Sequence, residues 1–243
     1  MRDWVYQCNN KEVVMPRKAR FFIDEVPVHV VQRGHCREPV FFEAQDYATY
    51  MHWVHEASKR YEVKLHSFCL MTNHIHLLLT PVLAESISLF MQFVGRHYVP
   101  YINEKYRRSG TLWEGRFKAS LVDSETYLLD VMRYIELNPV RAFMVVSPEE
   151  YQWSSFKHNT GQLAMASIIE HSVFVGLGRT LAESRSFYLK GFNQVLSQKA
   201  VKKITAAWLT GTPLGDQCFE LKIEETLSKR VGLARKGRPR KIN

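Results

Sequence analysis

Two rhythms of apolar and polar residues run along this chain. Val26 to Gln32 (VPVHVVQ), Lys64 to Met71, His74 to Thr80 and Arg116 to Val122 (RFKASLV) are short β-rich runs and predict strands. Arg33-Gly34 closes the first, and Thr72-Asn73 between the second and third predicts a hairpin. Elsewhere the apolar positions recur every three or four residues. Tyr47, Met51, Val54 and Ala57 predict a helix over Glu43 to Arg60, and Ile87, Met91, Val94, Tyr98 and Ile102 predict a longer one over Ala84 to Arg108. A third, Glu125 to Asn138 (ETYLLDVMRYIELN), has Asp123 or Ser124 as its cap, a core stripe of Leu128, Val131 and Ile135, and Pro139 as its stop.

The order β, α, β, β, α, β, α predicts an α+β fold with a ferredoxin-like split β-α-β antiparallel sheet and an extra helix after the last strand. Tyr151 to Lys157 (YQWSSFK) is expected to close that core as an aromatic segment. Beyond about Gly161 the pattern changes to two helical stretches and a basic tail. The expected organisation is a flexible lead-in over 1–15, a main domain over 16–160, a helical extension over 161–228 and a tail over 229–243.

With 243 residues, 46% apolar and 23% charged, the chain can bury a core. No apolar run of membrane-spanning length and no signal-peptide pattern in the first stretch leave a cytoplasmic protein as the expectation. Cys8, Cys36, Cys69 and Cys218 are too scattered for a zinc ribbon and too few for a disulfide scaffold. The net charge is +9, and Lys229 to Asn243 carries seven basic residues and no acidic one, so the excess points to a polyanionic partner through a tail.

The candidate chemistry starts at His74-Ile75-His76. On a strand, alternate side chains share a face, so the two imidazoles stand side by side while Ile75, Leu77 and Leu79 point the other way. That suits a divalent ion, but a chain with ten histidines meets this spacing by chance, and two structural histidines are the plainer reading. On the third helix, steps of seven and four residues bring Tyr127, Tyr134 and Asn138 onto one stripe. A phenol and an amide carbonyl then share a face beside the stop at Pro139, against the plainer reading of a half-buried tyrosine and a C-terminal cap. The segment Tyr106 to Lys118 interleaves cations with aromatics and glycines. Arg116 and Lys118 could hold phosphates there, or the segment is a solvated turn with Trp113 in the core. Lys236 to Lys241 (KGRPRK) resembles an AT-hook, with a plain basic tail as the alternative.

Taken in order, MTNHIHLLLTP, LWEGRFKA and MRYIELNPVRA resemble the HUH single-strand DNA transposases, most closely the REP-associated tyrosine transposases of the IS200-like kind. The resemblance runs from about Pro16 to Lys157 and includes PRKAR, VVQRG and WSSF. It implies an HUH endonuclease fold for 16–160, with Tyr134 as nucleophile, His74 and His76 as metal ligands, and Asn138 as a third ligand where related insertion-sequence transposases usually carry glutamine. It also implies Mg2+ or Mn2+ as cofactor and single-stranded or hairpin DNA as partner. The expected DNA contacts are Arg17, Lys18 and Arg33 in the entry and turn motifs PRKAR and VVQRG, Arg116 and Lys118 in the cationic segment, Arg141 beside the nucleophile and Arg238 in the AT-hook-like tail. The implied activity is cleavage and rejoining of hairpin DNA through a 5′-phosphotyrosine, by a monomer or homodimer at the nucleoid. The alternative is a domesticated relative that binds hairpin DNA or RNA without cutting. A two-histidine phosphoesterase would need two His-x-Ser/Thr motifs on suitable strands, and the sequence offers none.

Overall fold

Four strands, β1 (Val28–Arg33), β2 (Val63–Met71), β3 (His74–Pro81) and β4 (Lys118–Leu121), form one antiparallel sheet in the order β2-β3-β1-β4. The structure, a computed structural model, describes residues 20–232. The lead-in, Arg17, Lys18 and most of the basic tail with Arg238 lie outside the described residues. Helices α1 (Ala44–Tyr61) and α2 (Ser86–Lys105) follow β1 and β3, and α3 (Ser124–Glu136) follows β4, which is the expected split β-α-β order.

The two faces of the sheet carry separate cores. Val28, Val30, Leu65, Ile75, Leu77 and Leu79 pack with Tyr50, Val54, Ile87, Phe90 and Tyr98 of α1 and α2. Trp113 and Phe117 also belong to this first core, so the tryptophan of the cationic segment is a core residue. Val31, Cys69, Met71 and Leu78 point the other way, onto Leu128, Val131 and Ile135 of α3. The stripe read from the third helix therefore faces the histidine side of the sheet. Asp123 starts α3 as expected, its carboxylate accepting from the Glu125 N–H.

Two expectations change. Pro139 does not end the helical path: α3 stops at Glu136, the backbone kinks at Leu137, and a four-residue turn, α4 (Asn138–Arg141), begins with the proline in its first turn. That is where proline is tolerated, because the N–H it lacks has no intrahelical partner there. Among the described residues, the region beyond Gly161 holds four α-helices and not two stretches: after the short α5 (Phe156–Asn159) come α6 (Ser172–Val175), α7 (Leu181–Lys190), α8 (Gln198–Thr210) and α9 (Gln217–Leu227). Phe174, Tyr188, Ile204, Ala207 and Trp208 from three of these fill the second core against α3, whereas Ile223 of α9 joins the first.

The closing segment runs along the outer edge of β2. Leu70 N–H donates to Trp153 O, Ser155 N–H donates to Phe68 O, and the Tyr151 hydroxyl donates to Leu70 O at 2.6 Å. Trp153 stacks on Tyr47 of α1 with ring centroids 4.7 Å apart.

Gly34 closes β1 in a confined place. Its N–H donates to Asn73 O in the β2–β3 turn, and a Cβ there would overlap the Glu38 carbonyl and lie 2.8 Å from Val40 Cγ1. Gly34→Ala is therefore expected to cost about 1–3 kcal/mol of stability. A thermal midpoint equal to that of wild type would refute this packing.

Candidate functional site

The histidines stand on the second-core face of β3. Antiparallel pairing puts Val31 opposite His76, Arg33 opposite His74 and His29 opposite Leu78, so His29, Arg33, His74 and His76 all project from one face. The His74 and His76 ring centroids are 5.1 Å apart. The Tyr134 ring comes down from α3 onto the same place, 5.9 Å from His76 and 5.8 Å from His29, edge-on to both. The strand alternation and the helix stripe thus meet at one point, and the guanidinium of Arg141 lies 4.7 Å from the centre of the Tyr134 ring.

The imidazoles are neutral at physiological pH. Burial pushes His74 down to about 4, with the positive charge of Arg33 adding to it. Burial holds His76 well below the usual imidazole range, reinforced by His29, His74, Arg141 and Arg33. Ring nitrogens without a proton are what a cation requires.

Tyr134 is only 3% exposed. Its hydroxyl lies 3.2 Å from Thr205 Oγ1 and accepts from Trp208 Nε1 at 3.4 Å, both on α8. Lys203, also on α8, donates to the Tyr127 hydroxyl and sits 4.4 Å from the centre of that ring. One helix of the extension therefore covers the tyrosine stripe of α3. Asn138, one turn past Tyr134, donates its amide to Tyr134 O at 2.9 Å and Ile135 O at 3.2 Å, so its nitrogen caps the end of α3 and its Oδ1 is the donor atom left for other work.

A cleft of about 390 Å³ adjoins this centre, lined by Arg20, Phe22, Arg116, Phe117, Lys118 and Trp208 among others. Arg20 lies over the Phe117 ring at 3.8 Å, and Lys118 Nζ is 5.9 Å from the Trp208 ring. A smaller hollow that shares Arg116, Lys118 and Trp208 continues it to Val31 and Arg33, the strand partners of His76 and His74. Cations and aromatics thus form one path from Arg20 to the histidines. Arg133 takes no part, since its guanidinium donates to Gly191 O at 2.5 Å.

The pattern of the family described as "Transposase IS200 like" matches residues 23–138, a span that includes the four strands, both histidines and Tyr134. Residues 23–138 form an IS200-like transposase domain. The solved structure of a REP-associated tyrosine transposase bound to a REP hairpin shares the fold of this chain, with a TM-score of 0.53 at 12% identity over 65% of this chain and 99% of that one. A candidate transposase from Deinococcus radiodurans R1 is more distant, with a TM-score of 0.35 at 18% identity over 49% of this chain and 95% of that one. No curated protein sequence matches the chain.

The site includes residues that motif reading passes over. His29 has no motif of its own, yet its Nε2 lies 2.9 Å from His76 Nδ1. Only the strand register reveals this, because a diagonal cross-strand contact leaves no local trace in sequence. Thr205 and Trp208 lie in the extension, and no spacing connects them to Tyr134.

Glu136, also without a motif, is fully buried at the end of α3. Its carboxylate accepts from Ser155, Asn159 and Ser67 on one oxygen and from Tyr188 of α7 on the other. Burial nevertheless pushes it up to about 7 against the pull of those four donors. The folded protein then holds this proton more tightly than the unfolded chain. The resulting stability is complete below the ordinary glutamate range and disappears as pH rises through 7. Between pH 4 and 8 this group alone should remove roughly 3 kcal/mol, and Glu136→Gln should flatten that dependence. Parallel wild-type and variant stability profiles in chemical denaturation across this range would contradict it.

Proposed function

We propose that this transposase cleaves and rejoins single-stranded hairpin DNA, with Tyr134 as the nucleophile. The observation that carries the reading is the convergence of His74, His76 and the Tyr134 ring on one face of the sheet, with the His76 ring 5.1 Å from that of His74 and 5.9 Å from that of Tyr134. The phenol oxygen attacks a DNA phosphorus in line. The phenol gives up its proton as the new Tyr–O–P bond forms and the P–O3′ bond breaks, the leaving 3′ oxygen takes up a proton, and the downstream strand stays on the protein through its 5′ phosphate. A second 3′-hydroxyl reverses the exchange onto a new strand. The phosphodiester bond is conserved throughout, so rejoining needs no nucleotide hydrolysis.

The donor set fits a divalent ion. Both imidazoles are neutral and have Nδ1 engaged, His74 with Asn73 Oδ1 at 2.7 Å and His76 with His29, which leaves Nε2 of each for coordination. His74, His76 and, through Oδ1, Asn138 would hold Mg2+ or Mn2+, which supplies neutralisation of a non-bridging phosphate oxygen. Arg141 at the Tyr134 ring is placed to meet the same phosphate.

The unpaired strand follows the cleft, with phosphates on Arg33, Arg116 and Lys118 and bases against its aromatic wall. Arg116→Ala with Lys118→Ala should weaken binding to every hairpin alike. The log affinity against log salt plot should become shallower by about 1.4 for two lost single-strand phosphate contacts. An unchanged slope would remove these residues from the path.

The test of the reading is covalent trapping: a 3′-labelled hairpin oligonucleotide incubated with Mn2+ should yield a protein–DNA adduct. The second reading, a hairpin-binding regulator that does not cut, is favoured by the cover that α8 places on the Tyr134 hydroxyl. Hairpin binding with no adduct under any condition would select it.

A further inference from the structure

Which ring nitrogen of each imidazole carries the proton follows from an anchored hydrogen-bond chain. The carbonyl oxygen of Arg37 can only accept, and it receives the Asn73 amide nitrogen at 2.9 Å. The Asn73 amide is thereby fixed with Oδ1 on its other side, 2.7 Å from His74 Nδ1. An amide oxygen cannot donate, so His74 Nδ1 must carry the ring proton and Nε2 keeps its lone pair. The loop that presents Arg37 O is built for the purpose. Cys36 and Arg37 both take left-handed backbone conformations (φ 50° and 61°), and the turn is closed by Arg37 N–H to Gly34 O and Glu38 N–H to His35 O. Gly34 N–H in turn holds the Asn73 carbonyl at 2.8 Å. Side chain and main chain of Asn73 are thus gripped from the same loop.

His76 has a counterpart. Its Nδ1 meets His29 Nε2 at 2.9 Å, His29 is fully buried, and His29 Nδ1 has no hydrogen-bond partner. Of the two ways to place the shared proton, only donation from His76 Nδ1 to His29 leaves His76 Nε2 open to a cation.

We propose that Asn73 and His29 are positioning residues: each accepts the Nδ1 proton of one histidine, Asn73 from His74 and His29 from His76, so that both rings present a bare Nε2. The proposal rests on the reading of His74 and His76 as metal ligands. Neither residue touches the ion or the DNA. Their effect passes through the tautomer and orientation of the imidazoles, a kind of support whose loss typically weakens metal affinity about 10- to 100-fold.

The experiment has two readouts on the full chain. Long-range 1H–15N spectra of the metal-free protein report the proton on each His74 nitrogen, and the same spectra of the Mg2+-loaded protein report it for His76. Mn2+ titration followed by electron paramagnetic resonance gives affinity. In wild type, His74 is expected as the Nδ1–H form before metal is added. Asn73→Asp, which retains an acceptor, should keep that form and bind Mn2+ at least as tightly. Asn73→Leu should let the Nε2–H form grow and weaken Mn2+ about 10- to 100-fold. His29→Leu should weaken Mn2+ comparably, with recovery in His29→Gln, whose amide oxygen can accept. A merely structural role would make the Asp and Leu variants at 73 alike.

Wild-type His74 in the Nε2–H form, or a tautomer and affinity indifferent to Asn73→Leu, would overturn the role of Asn73. Equal affinities for His29→Leu and wild type would overturn that of His29. Failure of the underlying reading has a separate signature: His76→Ala would bind Mn2+ as wild type does, whatever the tautomers.

Discussion

Tyr134→Phe is expected to reduce covalent adduct on a 3′-labelled hairpin by at least about 10⁴-fold while hairpin affinity stays within about twofold. Removal of a nucleophile takes away the whole covalent route, and losses of this order are typical where no other group can substitute. The change deletes one oxygen. The ring that packs edge-on to His29 and His76 remains, and the hydroxyl's neighbours are Thr205 and Trp208 of α8; Trp208 also lines the cleft that the DNA would occupy, but its indole stays packed in the second core when the hydroxyl is gone. Binding and cutting should therefore separate. An adduct in the variant equal to wild type would show that another side chain attacks, and the convergence at the sheet face would lose its meaning.

The second large effect has the opposite sign. With the Tyr134 hydroxyl held between Thr205 and Trp208, phosphorus can reach it only after α8 shifts. Trp208 is 7% exposed and packs in the second core, so its removal should cost the covered arrangement several kcal/mol by analogy with other buried aromatics. If about 3 kcal/mol of that loss falls on the covered state relative to the open one, Trp208→Ala should speed adduct formation on the order of a hundredfold. Thr205→Val, which loses one contact of about 1 kcal/mol, should speed it only severalfold. Adduct formation that slows in Trp208→Ala, with the fold intact by circular dichroism, would mean that the indole serves the DNA and not the cover.

Much of this was legible before any coordinates. The sheet order follows from the alternation of the four runs and the helices between them, because each element must bury a stripe and the split β-α-β arrangement satisfies all of them. Strand alternation pairs His74 with His76, and helical periodicity puts Tyr134 and Asn138 on one stripe, but only the family resemblance joins the two sets in one site, because local side-chain direction does not say which faces meet. Asn138 was half legible: helical spacing gives its position one turn past Tyr134, but not that its amide closes the end of α3, a detail set at Leu137 where the helix is interrupted. Asn73 reads in sequence only as a turn residue, since its partners Arg37 and His74 meet through a loop with two unusual backbone conformations. Trp208 and Glu136 were hidden for a different reason. Their partners come from α3 and from helices far along the chain, and tertiary contacts of that span leave no periodic mark.

The margins of the sheet decide how a second copy of the chain could join it. On the β2 side the backbone of residues 153–155 and Ile169 already takes Phe68, Leu70 and Leu65. At the far end of β4, Leu214 N–H donates to Leu121 O and Leu214 O accepts from Asp123 N–H. What is left of the β4 margin borders the cationic path, with Lys118 and Ala119 in its wall. Strand addition, the easiest route by which sheets fuse, is therefore closed along β2, and along β4 it would compete with nucleic acid for the same ground. Any pairing of copies through the described residues that leaves the cleft open must use surfaces other than the two sheet edges.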